Sequence, residues 1–279
     1  MEFYKLSGAG NDFVVLSNMD GRLLPESYSG LARALCRRRQ SIGADGLMVL
    51  ERSRTADFRM AFFNADGSAG EMCGNGARCI CRMGYELGLS GEIQRVETPS
   101  GLVIGRRLDK RRYCVKLTEP GLFKPEETVC ALGRSYDCAY VELGNPGLPH
   151  AVLEFPGLGD TDPDALRPLA KALRFHEKFP KGANVNFYEH TAPDRVILRT
   201  YERGVEDFTL ACGTGSASTA LTVARRAGRE AMTVYLENPG GLLEVEVRPN
   251  EKGGPPELYL TGPTNIVAKG LVTDEELHI

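Results

Sequence analysis

The chain repeats itself. Cys73-Gly74-Asn75-Gly76-Ala77-Arg78-Cys79 opens a segment that returns 139 residues later as Cys212-Gly213-Thr214-Gly215-Ser216-Ala217-Ser218. Val96-Glu97-Thr98-Pro99-Ser100-Gly101-Leu102-Val103 returns at a spacing of 140 as Leu236-Glu237-Asn238-Pro239-Gly240-Gly241-Leu242-Leu243. Gly43-Ala44-Asp45-Gly46 matches Gly182-Ala183-Asn184-Val185 at 139, and Gly10-Asn11 matches Gly144-Asn145 at 134. Each match is weak, but four in the same order at near-constant spacing mark a duplication. The chain is therefore expected to build two like halves: residues 1–117, joined by the tail 263–279, and residues 118–262.

Local patterning says what each half contains. Phe58, Met60 and Phe62 alternate with Arg59 and Ala61, a strand. A turn at Asn64-Ala65-Asp66-Gly67 follows. Then Ala77, Ile80, Cys81, Gly84 and Leu87 form a helical stripe that ends near Gly88. In the second half Val196-Ile197-Leu198 reads as a strand, and Ser216, Thr219, Ala220, Val223, Ala224 and Ala227 repeat the stripe. The remaining apolar stretches, such as Phe13–Leu16 and Leu242–Val247, are short and β-like. The expected fold is α+β: two pseudo-symmetric halves, each a curled antiparallel sheet or barrel around a central helix. Small residues on each helix would let strands approach on all sides.

Composition narrows the function classes. With 34 Lys and Arg against 37 Asp and Glu, the net charge of −3 disfavours a nucleic-acid or polybasic membrane partner. No apolar run reaches the roughly 18–20 residues of a membrane span, and the first residues do not read as a secretory signal, so a cytoplasmic protein is expected. The eight cysteines are then expected to be reduced. Cys73, Cys79 and Cys81 have C-x5-C-x-C spacing, unlike a zinc site, and on a helix Cys73 and Cys79 would lie about 240° apart. No metal is expected. Cys36, Cys114, Cys130 and Cys138 read as buried, inert thiols. Of the histidines, His176, His190 and His278 read as surface residues, and so does His150 taken alone.

The two cysteines that precede Gly-x-Gly are different. Each stands at a predicted helix start, where unpaired N–H groups and the helix dipole bind anions and favour thiolate over thiol. A substrate carboxylate held by both starts would place its α-carbon between two sulfurs. One sulfur, as thiolate, would remove a proton from one face while the other delivers a proton to the opposite face, inverting the centre. A simple anion-binding protein would need no thiol at both places, and a redox pair would normally show C-x-x-C.

The strings Gly8-Ala9-Gly10-Asn11-Asp12-Phe13, Gly43-Ala44-Asp45-Gly46, Phe63-Asn64-Ala65-Asp66-Gly67-Ser68, Cys73–Cys79, Glu202-Arg203-Gly204, Ala211–Gly215 and Leu260-Thr261-Gly262-Pro263 together resemble the diaminopimelate epimerase family over nearly the whole chain. The resemblance implies a cofactor-independent isomerase that interconverts LL- and meso-diaminopimelate for lysine and cell-wall precursor synthesis, and a homodimer. It implies Cys73 and Cys212 as the acid–base pair. Gly74, Asn75, Gly213 and Thr214 would hold the reacting carboxylate by backbone N–H. Asn11, Asn64, Asn145, Asn184 and Arg203 would contact the substrate, mostly at its far end. Glu202 would take the distal ammonium or assist a thiol, and His150 would tune a thiol. Two departures stand out. Gly147-Leu148-Pro149 separates Pro146 from His150 where the family usually has Asn-Pro-His, and the stretch from Arg203 to Cys212 is one residue longer. The alternative is a racemase of the same fold that acts on a different amino acid.

Overall fold

A computed structural model describes residues 1–70, 73–273 and 277. The chain divides into two compact units, Met1–Val115 with Gly262–Ile279, and Lys116–Thr261.

The first unit holds β1 (Glu2–Gly8), β2 (Asn11–Ser17), α1 (Tyr28–Leu35), β3 (Gly46–Glu51), β4 (Phe58–Asn64), α2 (Gly74–Glu86), β5 (Ile93–Thr98), β6 (Gly101–Arg107) and β7 (Arg112–Lys116). The second holds β8 (Pro120–Ala131), β9 (Arg134–Leu143), β10 (Leu148–Glu154), α3 (Pro163–Arg174), β11 (Asn184–Ala192), β12 (Arg195–Glu202), β13 (Asp207–Thr209), α4 (Gly213–Arg226), β14 (Met232–Asn238), β15 (Gly241–Arg248) and β16 (Glu257–Pro263). The chain then returns to the first unit as β17 (Asn265–Leu271), which pairs with β1.

The strand order in the first unit is β17-β1-β2-β3-β4-β5-β6-β7. In the second it is β8-β9-β10-β11-β12-β14-β15-β16, with short β13 added to β12. Direction agrees pair by pair. Most pairings are antiparallel, but β2/β3 and β4/β5 are parallel, as are β10/β11 and β12/β14. The α+β sheets are thus mixed where wholly antiparallel ones were expected. The helices explain this. α1 and α2, like α3 and α4, each carry the chain across the sheet, so the next strand starts from the same end.

The two kinds of helix differ in burial. α1 buries Tyr28, Leu31, Ala32 and Leu35, and α3 buries Leu166, Leu169, Ala170 and Leu173. Each is a single apolar stripe that covers one face of the sheet. α2 is buried at every residue from Gly74 to Gly84, and α4 at every residue from Gly215 to Ala224. α2 packs on β1, β2, β5 and β6, strands from across the order, so the sheet curls around it. The small residues make this possible: a Cβ at Gly84 would run into the Phe58 ring. Among the described residues no helix is long and apolar enough to cross a membrane.

Register fixes which residues correspond. Val15, Met48 and Phe62 lie side by side across β2, β3 and β4, as Val152, Asn186 and Thr200 do across β10, β11 and β12. Two residues before Val15 and Val152 come Phe13 and His150, and four before come Asn11 and Leu148. Asn145 thus stands three residues short of the position that matches Asn11, the length of the Gly147-Leu148-Pro149 insert. The β1–β2 hairpin closes on two residues, Ala9 and Gly10, both at positive φ (51° and 97°), whereas the β9–β10 hairpin closes on four, Gly144 to Gly147. The longer turn carries Asn145 out of register and leaves it exposed.

Candidate active site

In the first unit Cys73 is the N-cap of α2, in extended backbone (φ −106°, ψ 124°), and half-buried. Gly74 and Asn75 form the first turn and are buried. Below them runs a directed chain of hydrogen bonds. Arg78 donates to Asn75 Oδ1 at 2.7 Å and to the Gly74 carbonyl at 3.3 Å. Asn75 Nδ2 donates to Asn11 Oδ1 at 2.7 Å, and Asn11 Nδ2 to Asp45 Oδ2 at 3.0 Å. Because the two ends are a pure donor and a pure acceptor, both amides are fixed in orientation. The Asp45 and Asp12 carboxylates each accept from the other residue's backbone N–H, and Arg38 bridges both carboxylates at 2.6 and 2.8 Å. Burial opposes charge on Asp12, but Arg38 and Lys5 outweigh it and hold the carboxyl below its ordinary value. Asn64 ends β4, exposed, with its amide on Ser68 Oγ at 3.0 Å. Asn11 and Asn75 are thus brought together beside Cys73, while Asn64 bonds within its own turn.

In the second unit Cys212 is the N-cap of α4 (φ −117°, ψ 116°) and is buried; Gly215 N–H donates to its Sγ at 3.4 Å. Thr214 Oγ1 is also 3.4 Å from that sulfur. Gly213 is buried in the first turn. Glu202, at the end of β12, is hydrogen-bonded to Thr209 and to Cys212. Burial raises its carboxyl above the ordinary value, and those two hydrogen bonds only partly oppose this. Arg203 is exposed, donating to the Lys181 carbonyl at 3.1 Å. Asn184 is buried and braces the loop: its Oδ1 accepts from Arg203 N–H at 2.8 Å and its Nδ2 donates to the Pro149 carbonyl at 3.1 Å.

His150, expected at the surface when taken alone, has no exposed surface. It sits on β10 between β9 and β11, and its Nδ1 lies 3.2 Å from Asn186 Nδ2. Burial first, then the Arg203 charge, pushes its imidazole down to about 3, so it is neutral at physiological pH. The other histidines divide: His176 is half-buried, His190 is exposed, and His278 lies outside the described residues. Among the remaining thiols Cys36 and Cys138 are buried, but Cys114 is only half-buried and Cys130 is exposed, contrary to expectation. Both sit on strands with a solvent side, β7 and β8. Cys79 and Cys81 are fully buried, and burial pushes each up to about 12.

Sequence reasoning missed Arg78, Asp12, Asp45, Asn186 and Thr200. Arg78 was visible, with Arg82, as a cation on a helix rich in small and apolar residues. Asn186 gave no such signal, because in Asn184-Val185-Asn186-Phe187 it alternates as an outward-facing polar residue would.

The sequence matches the profile of the family described as diaminopimelate epimerase over residues 3–119 and 143–267. It is 38% identical over 290 residues to the diaminopimelate epimerase of Aquifex aeolicus, covering all of both chains. It is 38% identical over 270 residues to that of Chlorobaculum tepidum, covering 96% of this chain and all of the other. Among solved structures, a phenazine biosynthesis protein of the PhzF family from Bacillus anthracis superposes with a TM-score of 0.73 at 15% identity, over 97% of this chain and 98% of the other. A hydroxyproline epimerase from Agrobacterium vitis superposes with a TM-score of 0.66 at 16% identity, over 99% and 93%. These two share the fold. The full-length relatives and the matching profile place the chain in the diaminopimelate epimerase family.

Proposed function

We propose that the protein interconverts LL- and meso-diaminopimelate, with Cys73 and Cys212 as its acid–base pair. The observation that carries the reading is that the two cysteines hold the same topological place. Each caps the long buried helix that lies between the fifth and sixth strands of an eight-strand order repeated in both units. The names of the full-length relatives support the substrate.

On this reading one sulfur enters as thiolate and takes the α-proton. The other, as thiol, gives a proton to the opposite face of the carbanion. The substrate carboxylate gains charge as the carbanion forms. Backbone N–H groups of Gly74, Asn75, Gly213 and Thr214, in first turns where such groups lack helical partners, are suited to hold it. No external electron sink is needed if that stabilisation suffices. Arg203, exposed and forked, is suited to the distal carboxylate, and the family resemblance supports Asn11, Asn64, Asn145 and Asn184 as further substrate contacts. Glu202, hydrogen-bonded to Cys212, supports that thiol. The family resemblance further supports a cytoplasmic homodimer.

The test is proton exchange in deuterated water, starting from one stereoisomer and stopped at low conversion. Two thiols predict deuterium at the inverted carbon of early product and mostly protiated residual substrate. Largely protiated early product would remove the two-thiol mechanism. Turnover of another amino acid in preference to diaminopimelate would favour a different racemase activity.

A further inference from the structure

Beneath the first turn of α4, next to Cys212, lie three buried polar side chains: His150, Asn186 and Thr200. Asn186 Nδ2 donates to the Ala151 carbonyl at 3.1 Å, which fixes the amide orientation because a carbonyl only accepts. Thr200 Oγ1 donates to Asn186 Oδ1 at 3.0 Å, consistent with that orientation. The second amide N–H then meets His150 Nδ1 at 3.2 Å, so Nδ1 must accept and carries no proton. In a neutral imidazole the proton is therefore on Nε2. His150 Nε2 is buried and has no hydrogen-bond partner among the described residues.

The other unit shows that the fold does not require this. The corresponding positions are Phe13, Met48 and Phe62, and Phe13 and Phe62 meet edge to face with centroids 6.0 Å apart. Gly76 faces Met48 and Phe13 there, as Gly215 faces Asn186 and Thr200 here. The same space under the same helical turn is filled with hydrocarbon in one unit and with a polar relay in the other. An unsatisfied buried donor costs stability, so an apolar trio would serve packing better.

The geometry points to Asn186, braced by Thr200, as a positioning residue that locks His150 as a neutral imidazole with its single N–H on Nε2. His150 is then a hydrogen-bond donor and not a base. Its neighbours favour neutrality. At its register, β9 offers Val141 and β11 offers Asn184; α4 begins at Cys212; and the one charge acting on the ring is that of Arg203, which also disfavours imidazolium.

The inference rests on the proposed epimerase reading for its catalytic meaning, but the tautomer is tested separately. Nitrogen-15 spectra of the wild-type protein, with His150 identified by its loss in His150→Phe, should show a pyridine-like Nδ1 and a pyrrole-like Nε2 from pH 5 to 8. A protonated Nδ1, or a ring that titrates in that range, overturns the proposal even if diaminopimelate is the substrate. Asn186→Asp should move the proton to Nδ1 and add an ionisation to the pH profile of kcat. Asn186→Met, the residue of the other unit, should leave the protein folded and lower kcat about ten- to a hundredfold, as loss of the partner that orients an imidazole does, with KM little changed. An unchanged kcat in both variants would overturn the positioning role. If diaminopimelate proves not to be turned over, the spectra still decide the tautomer.

Discussion

Arg78 donates to Asn75 Oδ1 at 2.7 Å from a position with no exposed surface. No carboxylate pairs with it among the described residues, and burial lowers the stability of its charged form. Removing the charge and removing its partner should therefore have unequal effects. Asn75→Leu leaves the cation without its side-chain acceptor and should cost more than about 3 kcal/mol, because a buried charged donor left unsatisfied costs more than a neutral one. Arg78→Met takes the charge out of the interior and should cost less, about 1–3 kcal/mol for the unsatisfied amide oxygen. Denaturant unfolding of both variants checks the order; Arg78→Met as the more damaging change would contradict it.

The two cysteines should be equally indispensable to turnover. Cys73→Ala and Cys212→Ala should each abolish epimerisation. Cys212 Sγ accepts from Gly215 N–H, so Cys212→Ala should also lose a weak cap bond, about 0.5 kcal/mol. Near wild-type racemisation by either variant would end the two-thiol reading.

Glu202 gives stability a pH signature. Its folded pKa is raised by burial, against smaller effects from Thr209 and Cys212. The folded state therefore holds the proton more tightly, and this stabilisation is present at low pH and is lost as pH rises from the ordinary glutamate range through the raised value. Glu202→Gln should match the wild type near pH 4 and exceed it in stability at pH 7, while turnover falls. Equal stability curves at both pH values would mean that the burial of this carboxylate is inconsequential.

His150 acts in the opposite sense. With its folded value pushed down to about 3, it stabilises the protein above pH 6.5 and loses that contribution as the pH falls. His150→Phe should flatten the acid side of the stability curve; an unchanged slope between pH 6.5 and 4 would show that His150 is charged in the folded protein.

Arg203→Lys removes the planar fork but keeps the charge. If the fork reads a distal carboxylate, binding should weaken by about 1.5–3 kcal/mol, about ten- to a hundredfold in KM. Unaltered kinetics with diaminopimelate would reassign that end of the substrate to other residues.

What the sequence disclosed, and what it hid, follows from which interactions are local. The two buried helices were legible because a run of small residues beginning at Cys73 and again at Cys212 has few other uses, and both start where the cysteine stands. Strand direction was not legible, since β2 and β3 become parallel only through the path of α1. The displacement of Asn145 from the register position of Asn11 was not legible, because turn length varies while register is set by strands. The His150–Asn186–Thr200 relay lay beyond sequence reasoning for a related reason. Its members come from three strands, and none is unusual on its own.

The origin of β17 bears on the order of events as the chain is made. All eight strands of the second unit's main order, β8 to β16, come from one continuous stretch. The first unit takes its edge strand from Asn265–Leu271, at the far end of the chain. During synthesis, then, the half that is translated first is the half completed last. Until Asn265–Leu271 has emerged from the ribosome, the edge of β1 that β17 covers is unpaired, while the second unit already has every strand of its order.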